Sequence, residues 1–331
     1  MDLSIIIVNW NSAAYTAECV SSIRAATRGL QYEIIVVDNA STDNSIETLK
    51  LLPDVTLVAS SHNAGFARAN NLGYQHASGK ALLFLNPDTY VQDAAIDRMY
   101  CAMLSSEKVG IVGCRLLNSD QSLQTSCVQA FPTIMNQLTD VEAIKVRFPW
   151  VRMWGITALF QNPRPLTSVE VVSGACLMIR RDVFEKVVQF STDYFMYCED
   201  VDLCYKVIAA GYQVAYVNDA TVVHFGGQSS KQASKSSFAH VMAREAIHIF
   251  FAKRRSSRYA ATYKFSMFVS AVVRLAMLGF LLGLGKDQAA VAISRRKWRS
   301  ILSWSVGREG WSQQLGRAVD NTTQTASAKT A

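Results

Sequence analysis

The chain has 331 residues, 50% of them hydrophobic, which is enough to bury a large core and argues against a mostly disordered protein. Its formal net charge of +7 at pH 7 suits anionic partners but does not choose among nucleic acid, anionic lipid and phosphate-bearing ligands. Basic residues concentrate after residue 252, which favours contact of the C-terminal region with anionic lipid over a nucleic-acid groove.

The cysteines and the N-terminus bear on the cellular compartment. The seven cysteines form an odd set without a Cys-x-x-Cys pair, a pattern that favours a reducing cytosol. Residues 1–8 are apolar but carry Asp2 and no basic segment, so they predict a first strand rather than a secretion signal. We therefore expect a cytoplasmic protein.

Short β-branched runs alternate with helix-like stretches at the start of the chain. Strands are predicted at 3–9, 33–38, 55–59 and 81–85, and helices at 13–26, 41–51 and 64–77. Apolar strands separated by helices indicate a mostly parallel sheet covered on both faces, a doubly wound α/β layout. In such sheets ligands bind at the carboxyl ends of the strands, and polar residues follow each of these four runs.

The second predicted strand ends in Asp38, followed by Ser41, Thr42 and Asp43. An acidic residue at a strand end can accept hydrogen bonds from a base or a ribose, whereas the residues after it can cap a helix. Ligand contact is the favoured interpretation for Asp38, and capping is the favoured one for Asp43.

Asn63 is predicted to be the N-cap of the helix at 64–77. Phe66, Asn70 and Gly73 lie near one helix face, and Gly73 permits close packing. Asn70 needs a hydrogen-bond partner on this apolar face, which is either the backbone of a neighbouring loop or a bound nucleotide.

The buried strand at 81–85 ends in Asn86-Pro87-Asp88. A divalent cation beside a diphosphate requires oxygen ligands, and Asp88 on a turn stiffened by Pro87 supplies one. An ordinary strand-ending turn is the alternative.

Three carboxylates, Glu199, Asp200 and Asp202, stand within four residues just before a helix-like stretch. Like charges at this spacing are costly unless a cation, a helix N-terminus or a shared proton stabilises them. A carboxylate in this setting can have a raised pKa and act as a general base. For Asp202, capping of the helix is an equal alternative.

Two further features precede the C-terminal region. Small residues at 173–175, inside a predicted strand at 171–179, indicate close approach of the backbone to a ligand. His224 follows the strand-like stretch 220–223 and is either a metal or phosphate ligand or a structural histidine. The less regular stretch 114–167 is interpreted as an acceptor-facing insertion with short helices.

Residues 265–285 are apolar apart from Ser266, Ser270 and Arg274. As a helix they extend about 31 Å, close to the ~30 Å hydrocarbon thickness of a bilayer. Because Arg274 at the bilayer centre would cost about 2.5–3.5 kcal/mol, we expect the helix to lie in the interface with this polar stripe toward the headgroups. A true span and a helix buried against protein are the alternatives.

Together these motifs resemble family 2 glycosyltransferases, especially the bacterial rhamnosyltransferase-like branch that begins with Ile-Val-Asn-Trp-Asn, here residues 7–11. The similarity covers residues 3–228, with six motifs in the family's order. It implies a GT-A fold and an inverting glycosyltransferase that moves a sugar from a nucleotide diphosphate to a polysaccharide or polyprenyl-linked acceptor in cell-surface glycan synthesis. L-rhamnose from dTDP-L-rhamnose is the sugar that the branch suggests.

The resemblance also assigns roles to residues. The donor-binding set is Val8, Asn9, Asp38, Asn63, Gly65, Asn70 and Asn86. Asp88 matches the residue that holds Mg²⁺ or Mn²⁺, and His224 matches a position that assists the metal or the diphosphate. Asp200 matches the catalytic base, with Glu199 beside it. Asn86 replaces the first Asp of the family's Asp-x-Asp pattern, which predicts weaker metal binding without the donor.

We predict a GT-A domain at 1–228, with a nucleotide-sugar half at 1–113 and an acceptor half at 114–228, a helical membrane-associating region at 229–311 and a disordered tail at 312–331. The expected partners are a divalent cation, a nucleotide sugar, a glycan or lipid-linked acceptor and an anionic membrane surface, at the inner face of the cell membrane. Nucleic acid is not expected, and a homodimer stays open.

Two other functions fit the sequence less well. A Rossmann oxidoreductase or a nucleotidyltransferase is disfavoured because the first strand is followed by no Gly-x-Gly-x-x-Gly and no glycine-rich basic loop. A non-catalytic nucleotide-sugar or glycan-binding scaffold with the same fold would lack Asp88 or Asp200, and both are present.

Overall fold

The computed structural model describes residues 1–160, 166–226, 238–283 and 288–310. The chain divides into two compact units. The first, called the sheet unit, comprises residues 1–131, 141–192 and 199–229, and the second, called the helical unit, comprises 132–140, 193–198 and 230–331. The tail predicted to be disordered at 312–331 lies outside the described residues.

The strands all belong to the sheet unit. They are β1 (Leu3–Asn9), β2 (Tyr32–Asp38), β3 (Val55–Ala59), β4 (Ala81–Leu85), β5 (Thr89–Val91), β6 (Val109–Leu117), β7 (Val128–Gln129), β8 (Leu166–Val169), β9 (Val171–Val172), β10 (Cys176–Arg180) and β11 (Gln213–His224). The α-helices, numbered along the whole chain, are α1 (Ala13–Ala26), α2 (Ser45–Leu49), α3 (Phe66–Tyr74), α4 (Ala95–Leu104), α5 (Ile134–Leu138), α6 (Glu142–Arg147), α7 (Arg181–Lys186), α8 (Glu199–Ala209), α9 (Phe238–Arg254), α10 (Ser257–Gly283) and α11 (Gln288–Ser305).

Within the described part of the chain, nine strands form one sheet in the order β3-β2-β1-β4-β10-β6-β11-β5, with β8 also paired to β11. The strands β1 to β4 run parallel, and β6 runs parallel to β11. The strand β10 is antiparallel to both of its neighbours, as β5 and β8 are to β11. The predicted mostly parallel sheet flanked by helices is confirmed.

The central strand β1 shows why the strands of this sheet are apolar at nearly every position. All seven of its residues are buried. Ile5 and Ile7 belong to the core cluster that includes residues of α1, whereas Ile6 faces α3. Alternate side chains of a strand point to opposite faces, so helices on both faces require both sets to be apolar. A Cβ at Gly73 would lie 2.6 Å from Ile6 Cγ2, which confirms the predicted close packing at this glycine.

Two predicted helices begin later than expected. The helix predicted from residue 41 begins at Ser45, because Ser41 bonds back to Asp38 and Asp43 accepts from the Ser45 backbone. The helix predicted from residue 64 begins at Phe66, and its N-cap is Gly65 with a φ of 82°, not Asn63. Ser41 and Asn63 thus shape loops, whereas Asp43 accepts from the first N–H of α2, which agrees with its interpretation as a capping residue.

The middle of the chain is also more regular than predicted. The strand β6 reaches Leu117, so part of the stretch interpreted as an insertion belongs to the sheet. The strand predicted at 171–179 is wrong as a single element, since β9 and β10 are separated by residues 173–175. The turn at 173–175 contacts both Asn86, the residue after β4, and Asp200 in α8.

The helical unit is built from α5, α9, α10 and α11, as far as its residues are described. The aromatic ring of Phe251 on α9 lies 4.9 Å from that of Tyr259 and 5.0 Å from that of Tyr263, both on α10. Trp304 of α11 lies 6.2 Å from Tyr263. Edge-on and tilted aromatic contacts therefore hold these three helices together.

The helix α10 presents an apolar face to solvent. Its exposed apolar side chains are Phe265, Val269, Val272, Val273, Met277 and Phe280. They recur every three to four residues and so share one side of the helix, called the apolar face of α10. The stretch Ser257–Leu282 has a mean hydropathy of 2.1 over its most apolar window, and only 11% of that window is buried. By length and composition alone it is able to cross a membrane.

The polar stripe of α10 does not face outward as predicted. The Arg274 guanidinium donates from Nη2 to the Leu138 carbonyl oxygen at 3.0 Å and lies 4.5 Å from the centre of the Trp298 ring. The expectation that Arg274 faces the headgroups is therefore wrong. A carbonyl and an aromatic face inside the helical unit give the charge better partners than the edge of an apolar helix.

Candidate functional site

The carboxyl ends of three neighbouring parallel strands meet at one edge of the sheet. Asn9, the last residue of β1, is the register partner of Asp38, the last residue of β2. On the other side of β1, Ile7 pairs with Leu85, the last residue of β4. The residues that follow β1, β2 and β4 therefore lie along a common edge, where ligands of open α/β sheets bind.

Asn9 and Asp38 form a buried pair. Both are 0% exposed, and Asn9 Nδ2 donates to Asp38 Oδ1 at 2.8 Å. Ser41 donates to the same carboxylate twice, from its hydroxyl at 2.6 Å and from its backbone N–H at 3.0 Å. The side-chain oxygen Oδ1 of Asn9 accepts from the hydroxyls of Ser12 and Thr16. Asp38 thus shapes the loop after β2, and its contact with a nucleotide stays a prediction.

A second pair of amides, Asn39 and Asn63, joins the loops after β2 and β3, and only Asn63 was a predicted site residue. Asn39 donates from Nδ2 to Asn63 Oδ1 at 2.8 Å and accepts from the Ala64 backbone at 3.0 Å. Asn63 also accepts from the Gly65 backbone at 3.1 Å. Asn39 belongs to the polar run after β2, but the sequence analysis assigned a ligand-binding role only to the preceding residue, Asp38.

The Asn70 amide bonds within its own helix rather than to a neighbouring loop, and its contact with a nucleotide stays a prediction. It is 1% exposed, and its Nδ2 donates to the Phe66 carbonyl of its own helix at 3.0 Å. The amide therefore ties the first turn of α3, next to Gly65.

Asp88 and His224 are brought together by two strands far apart in sequence. The strand β5 pairs with β11 so that Thr89 lies opposite His224, and the Phe225 backbone donates to the Asp88 carbonyl at 2.9 Å. Asp88 is 4% exposed, and its Oδ1 lies 3.4 Å from His224 Nε2. Asn86 Nδ2 lies 3.3 Å from the same ring nitrogen.

The orientation of His224 is set by a chain of hydrogen bonds. Its Nδ1 lies 2.8 Å from Gln124 Oε1, Gln124 Nε2 donates to Asn118 Oδ1 at 2.9 Å, and Asn118 Nδ2 donates to Ser122 Oγ at 2.9 Å. Ser122 in turn donates to Asp120 Oδ1 at 2.5 Å, and its hydrogen bonds lower the pKa of this carboxyl. Because an ionised carboxylate only accepts, every donor in the chain points toward Asp120. The proton of a neutral His224 therefore sits on Nδ1.

This arrangement is suited to a divalent cation. Two atoms with lone pairs, Asp88 Oδ1 and His224 Nε2, face each other at 3.4 Å, and the second ring nitrogen donates to an amide oxygen, as in metal-binding histidines. Among the described residues, no group of three or more His, Cys, Asp or Glu side chains could hold a metal. The pair therefore fits an ion that completes its coordination with water and ligand phosphates.

Glu199 and Asp200 begin α8, directly after two residues with left-handed backbones, Tyr197 (φ 69°) and Cys198 (φ 67°). Such conformations are costly for residues other than glycine and cluster at functional sites. Asp200 accepts from the Gly174 backbone at 2.8 Å through Oδ2, and from the Val201 backbone at 2.8 Å through Oδ1. Burial raises the pKa of Asp200, and these two hydrogen bonds partly oppose it.

Glu199 has a different environment from its neighbour. It is 6% exposed, and none of the described residues donates a hydrogen bond to its Oε2. Burial, together with the charge of Asp200, raises the pKa of Glu199 to about 8. The raised pKa favours the protonated form of Glu199 near neutral pH, whereas the two N–H donors favour the charged form of Asp200.

The turn at 173–175 links the two halves of the site. The Gly174 backbone donates to Asp200, and the Ala175 carbonyl accepts from the Asn86 backbone at 2.9 Å. A Cβ at Gly174 would lie 3.2 Å from Asp200 Cβ, which is tighter than ordinary contact. In this structure it is the Asp200 side chain that closely approaches the small residues predicted to lie near a ligand.

Asp202 contacts other residues than Glu199 and Asp200 do. It is 0% exposed, accepts from the Ser191 hydroxyl at 2.5 Å and lies 4.0 Å from Lys206 Nζ. These contacts support the structural alternative for Asp202.

The family follows from the match to a model described as glycosyl transferase family 2, which covers residues 4–188, more than half of the chain. The chain therefore belongs to glycosyltransferase family 2. The N-acetylglucosaminyl-diphospho-decaprenol L-rhamnosyltransferase of Mycobacterium tuberculosis is 27% identical over 286 residues, 82% of this chain and 91% of that protein. The rhamnosyltransferase WbbL of Escherichia coli is 24% identical over 244 residues, 71% of this chain and 87% of that protein.

Solved structures agree on the fold. The mannosyltransferase PcManGT of Pyrobaculum calidifontis, in complex with GDP-Man and Mn²⁺, matches with a TM-score of 0.54 and 17% identity over 92% of this chain and 86% of that one. GalNAc-T7 with UDP, GalNAc and Mn²⁺ matches with a TM-score of 0.52 and 16% identity over 68% of this chain and 44% of that one. The predicted GT-A fold is confirmed.

Proposed function

We propose that the chain is an inverting, metal-dependent glycosyltransferase that moves a sugar from a nucleotide diphosphate to a polysaccharide or polyprenyl-linked acceptor in cell-surface glycan synthesis. The observation that carries this proposal is the hydrogen-bonded connection from Asp200 through the turn at 173–175 to Asn86, next to Asp88 and His224. The similarity to two rhamnosyltransferases supports L-rhamnose, from dTDP-L-rhamnose, as the first donor to test.

The donor is proposed to bind along the shared edge of β1, β2 and β4. The proposed contacts are Val8, Asn9, Asp38, Asn63, Gly65, Asn70 and Asn86. The hydrogen bonds of Asn9 and Asp38, and those of Asn39 and Asn63, hold the loops at this edge before any ligand arrives. Because these loops are already ordered, ligand binding loses less conformational entropy.

Asp88 and His224 are proposed to hold Mg²⁺ or Mn²⁺. When bound, the cation offsets the charge of the departing nucleoside diphosphate. Asp88 offers a carboxylate oxygen, and the hydrogen bond to Gln124 leaves the lone pair of His224 on Nε2, where a cation would take the place of the Asn86 N–H. Because imidazole nitrogen is a softer ligand than oxygen, this pair favours Mn²⁺ over Mg²⁺.

Asp200 is proposed to remove the proton from the acceptor hydroxyl as the oxygen attacks the anomeric carbon. The Gly174 and Val201 N–H groups fix its carboxylate, and burial raises its pKa toward that of a useful base. The raised pKa of Glu199 favours its protonated form, which limits the repulsion that a charged Asp200 would meet. A single displacement of this kind inverts the anomeric configuration.

The helical unit is proposed to attach the protein to the cytoplasmic face of the membrane through the apolar face of α10. Phe265, Met277 and Phe280 are 66%, 60% and 70% exposed, which is unusual for large apolar side chains of one helix face. The basic stretches 253–258 and 295–299 can contact anionic lipid, although Lys253 already pairs with Asp193. The relative from Mycobacterium tuberculosis is named for a decaprenol-linked acceptor.

The test is a turnover and binding assay of the full chain with a panel of nucleotide sugars and Mn²⁺, followed by the anomeric configuration of the product by NMR. We expect one donor to be hydrolysed slowly alone and transferred faster to a lipid-linked acceptor, with inversion. Retention of configuration would contradict the single displacement. Donor binding without turnover on any acceptor would favour the scaffold alternative.

A further inference from the structure

The strand β11 carries three more residues than its neighbour β6 at one point. Val217 pairs with Cys114 and Thr221 pairs with Arg115, so residues 218–220 stand opposite the junction of two consecutive residues of β6. Residues 218–220 are called the bulge of β11. Because side chains alternate along a strand and register partners share a face, an odd number of extra residues moves every later side chain to the opposite face of the sheet.

Two contacts show that this change of face occurs. Tyr216, before the bulge, pairs with Gly113, where an added Cβ would lie 2.5 Å from a side chain of β9. His224, after the bulge, pairs with Thr89, whose Oγ1 lies 3.3 Å from Cys19 Sγ of α1. Tyr216 and His224 are eight positions apart and would share a face in an unbroken strand. The bulge therefore moves His224 from the β9 side of the sheet to the α1 side.

Side chains from three elements hold the bulge in place. Asn218 Oδ1 accepts from Arg115 Nη1 at 3.2 Å and from the Tyr216 hydroxyl at 3.1 Å. Arg98 of α4 donates from Nη1 to the Asp219 carbonyl at 2.5 Å. Tyr216 is 0% exposed, so its hydroxyl requires such a partner inside the protein. The Asn218 amide thus ties the extra residues to both β6 and the first half of β11.

A change of pairing partner along β11 does not account for the bulge. Residues 214–217 pair with β8, and residues 222–224 pair with β5. In the order of the sheet, β5 lies on the side of β11 away from β6. An exchange of partners on that side requires no extra residues opposite β6. Bulges are over-represented next to active sites, where they re-aim a side chain.

We propose that the bulge of β11 sets the face of the sheet on which His224 lies, and that Asn218 is a positioning residue for the pair of Asp88 and His224. On the α1 side, the His224 ring lies with Nδ1 2.8 Å from Gln124 Oε1 and Nε2 3.4 Å from Asp88 Oδ1. On the β9 side it would lose both neighbours. Asn218 acts through the course of β11, and the metal-binding role of the pair rests on the proposed function.

Deletions within the bulge test the role of its odd length. Deletion of Asp219 leaves two extra residues and should return His224 to the β9 side, whereas deletion of both Asn218 and Asp219 leaves one and should keep His224 on the α1 side. Two readouts are measured: the His224 tautomer, from ring ¹⁵N shifts in EDTA, and the Mn²⁺-dependent part of nucleoside diphosphate binding, by calorimetry.

The single deletion should lose the Nδ1–H tautomer and about 10- to 100-fold of the Mn²⁺-dependent binding. The double deletion should retain more of both, although it removes more of the chain. A general loss of stability would give the reverse order. An equal or larger loss in the double deletion would therefore overturn the proposal.

A substitution series keeps the test independent of whether the deletions fold. Asn218→Ala removes the acceptor of both hydrogen bonds and should weaken the Mn²⁺-dependent binding by about tenfold, whereas Asn218→Asp keeps an oxygen acceptor and should restore it. Asp219→Asn is the matched control, because Asp219 is held through its backbone carbonyl. All variants are compared below their melting temperatures. Parental tautomer and Mn²⁺-dependent binding in Asn218→Ala would overturn the positioning role.

The two readouts also separate this proposal from the proposed function. If the parent chain binds nucleoside diphosphate equally with Mn²⁺ and with chelator, the proposed metal site is wrong, while the His224 tautomer in the same variants still tests the bulge. If the parent chain shows Mn²⁺-dependent binding that neither the single deletion nor Asn218→Ala changes, the proposed function stands and the role of the bulge is rejected.

Discussion

Nδ1 of His224 and Oε1 of Gln124 lie 2.8 Å apart, and the amide of Gln124 is held by its own donor bond to Asn118. The histidine therefore presents its second nitrogen, Nε2, toward Asp88. Groups that fix a metal-binding histidine through its other nitrogen usually matter about 10- to 100-fold for metal affinity or activity. Gln124 is thus expected to act through His224 rather than on the donor itself.

Gln124→Leu should reduce the Mn²⁺-dependent part of nucleoside diphosphate binding by about 10- to 100-fold, measured by calorimetry with Mn²⁺ and with chelator. The ¹⁵N chemical shifts of the His224 ring should show loss of the single Nδ1–H tautomer. Gln129→Leu is the matched control, because the Gln129 amide donates to the Ser126 carbonyl instead. If Gln124→Leu changed neither the tautomer of His224 nor the Mn²⁺-dependent part of nucleoside diphosphate binding, this positioning role would be excluded.

Asp88→Ala should abolish the difference between nucleoside diphosphate binding with Mn²⁺ and with chelator. The carboxylate is buried beside His224, so its removal takes away the charged member of the proposed ligand pair. Calorimetry of the parent chain and the variant under both conditions provides the measurement. If Mn²⁺ still strengthened nucleoside diphosphate binding in the variant, Asp88 would not be a ligand of the ion.

Asp200→Asn should leave donor binding nearly unchanged and lower turnover by about a hundred- to ten-thousand-fold, the range of a lost general base. Asp202→Asn, two residues later, is the comparison: its buried carboxylate bonds to Ser191, so the loss should appear in the melting temperature rather than in the turnover of folded protein. An Asp200→Asn enzyme that keeps more than about a tenth of its activity at saturating acceptor would contradict the assignment.

Glu199 should make the fold less stable as the pH rises. Its pKa is raised from 4.5 to about 8 in the folded chain, so the folded state binds more protons than the unfolded state between these values. Stability attributable to Glu199 is therefore complete below about pH 4.5, falls as the pH rises toward 8 and is flat above it. Glu199→Gln keeps a neutral side chain of similar shape and should remove this part of the slope.

Urea denaturation at pH 5, 6.5 and 8 measures the effect, as the difference in slope between the parent chain and Glu199→Gln. Glu18→Gln, on an exposed face of α1, provides the control and should follow the parent chain. Parallel slopes for the parent and Glu199→Gln would mean that Glu199 is ionised in the folded state at neutral pH.

Site residues at the ends of strands could be predicted from the sequence, whereas residues that act through contacts distant in sequence could not. The strand ends at Asn9, Asp38 and Leu85 followed from apolar runs, because hydrophobic period and length fix where a buried strand stops. Gln124 was missed because it lies beside the end of β6, and the parallel pairing of β11 with β6 brings His224 to it from a hundred residues further along the chain. No local pattern encodes such a contact, since only the register of β11 determines it.

Arg274 shows a different limit of sequence reasoning. The spacing of Ser266, Ser270 and Arg274 correctly indicated one stripe of the helix, but amphipathicity does not tell whether a stripe faces water or another helix. The partners that decided the question, Leu138 and Trp298, lie on other helices. The result is an outward face that is more apolar than predicted.

The membrane prediction follows from that apolar face. The full chain should pellet with phosphatidylglycerol liposomes at low salt, and the triple variant Phe265→Gln, Met277→Gln, Phe280→Gln should pellet at least about tenfold less, because each of these side chains contributes about 1.5–3 kcal/mol when fully removed from water. Leu51→Gln with Val188→Gln is the matched control, as these residues are 82% and 78% exposed in the sheet unit. A full chain that stays in the supernatant would exclude membrane attachment and direct attention to α10 as a contact between protein subunits.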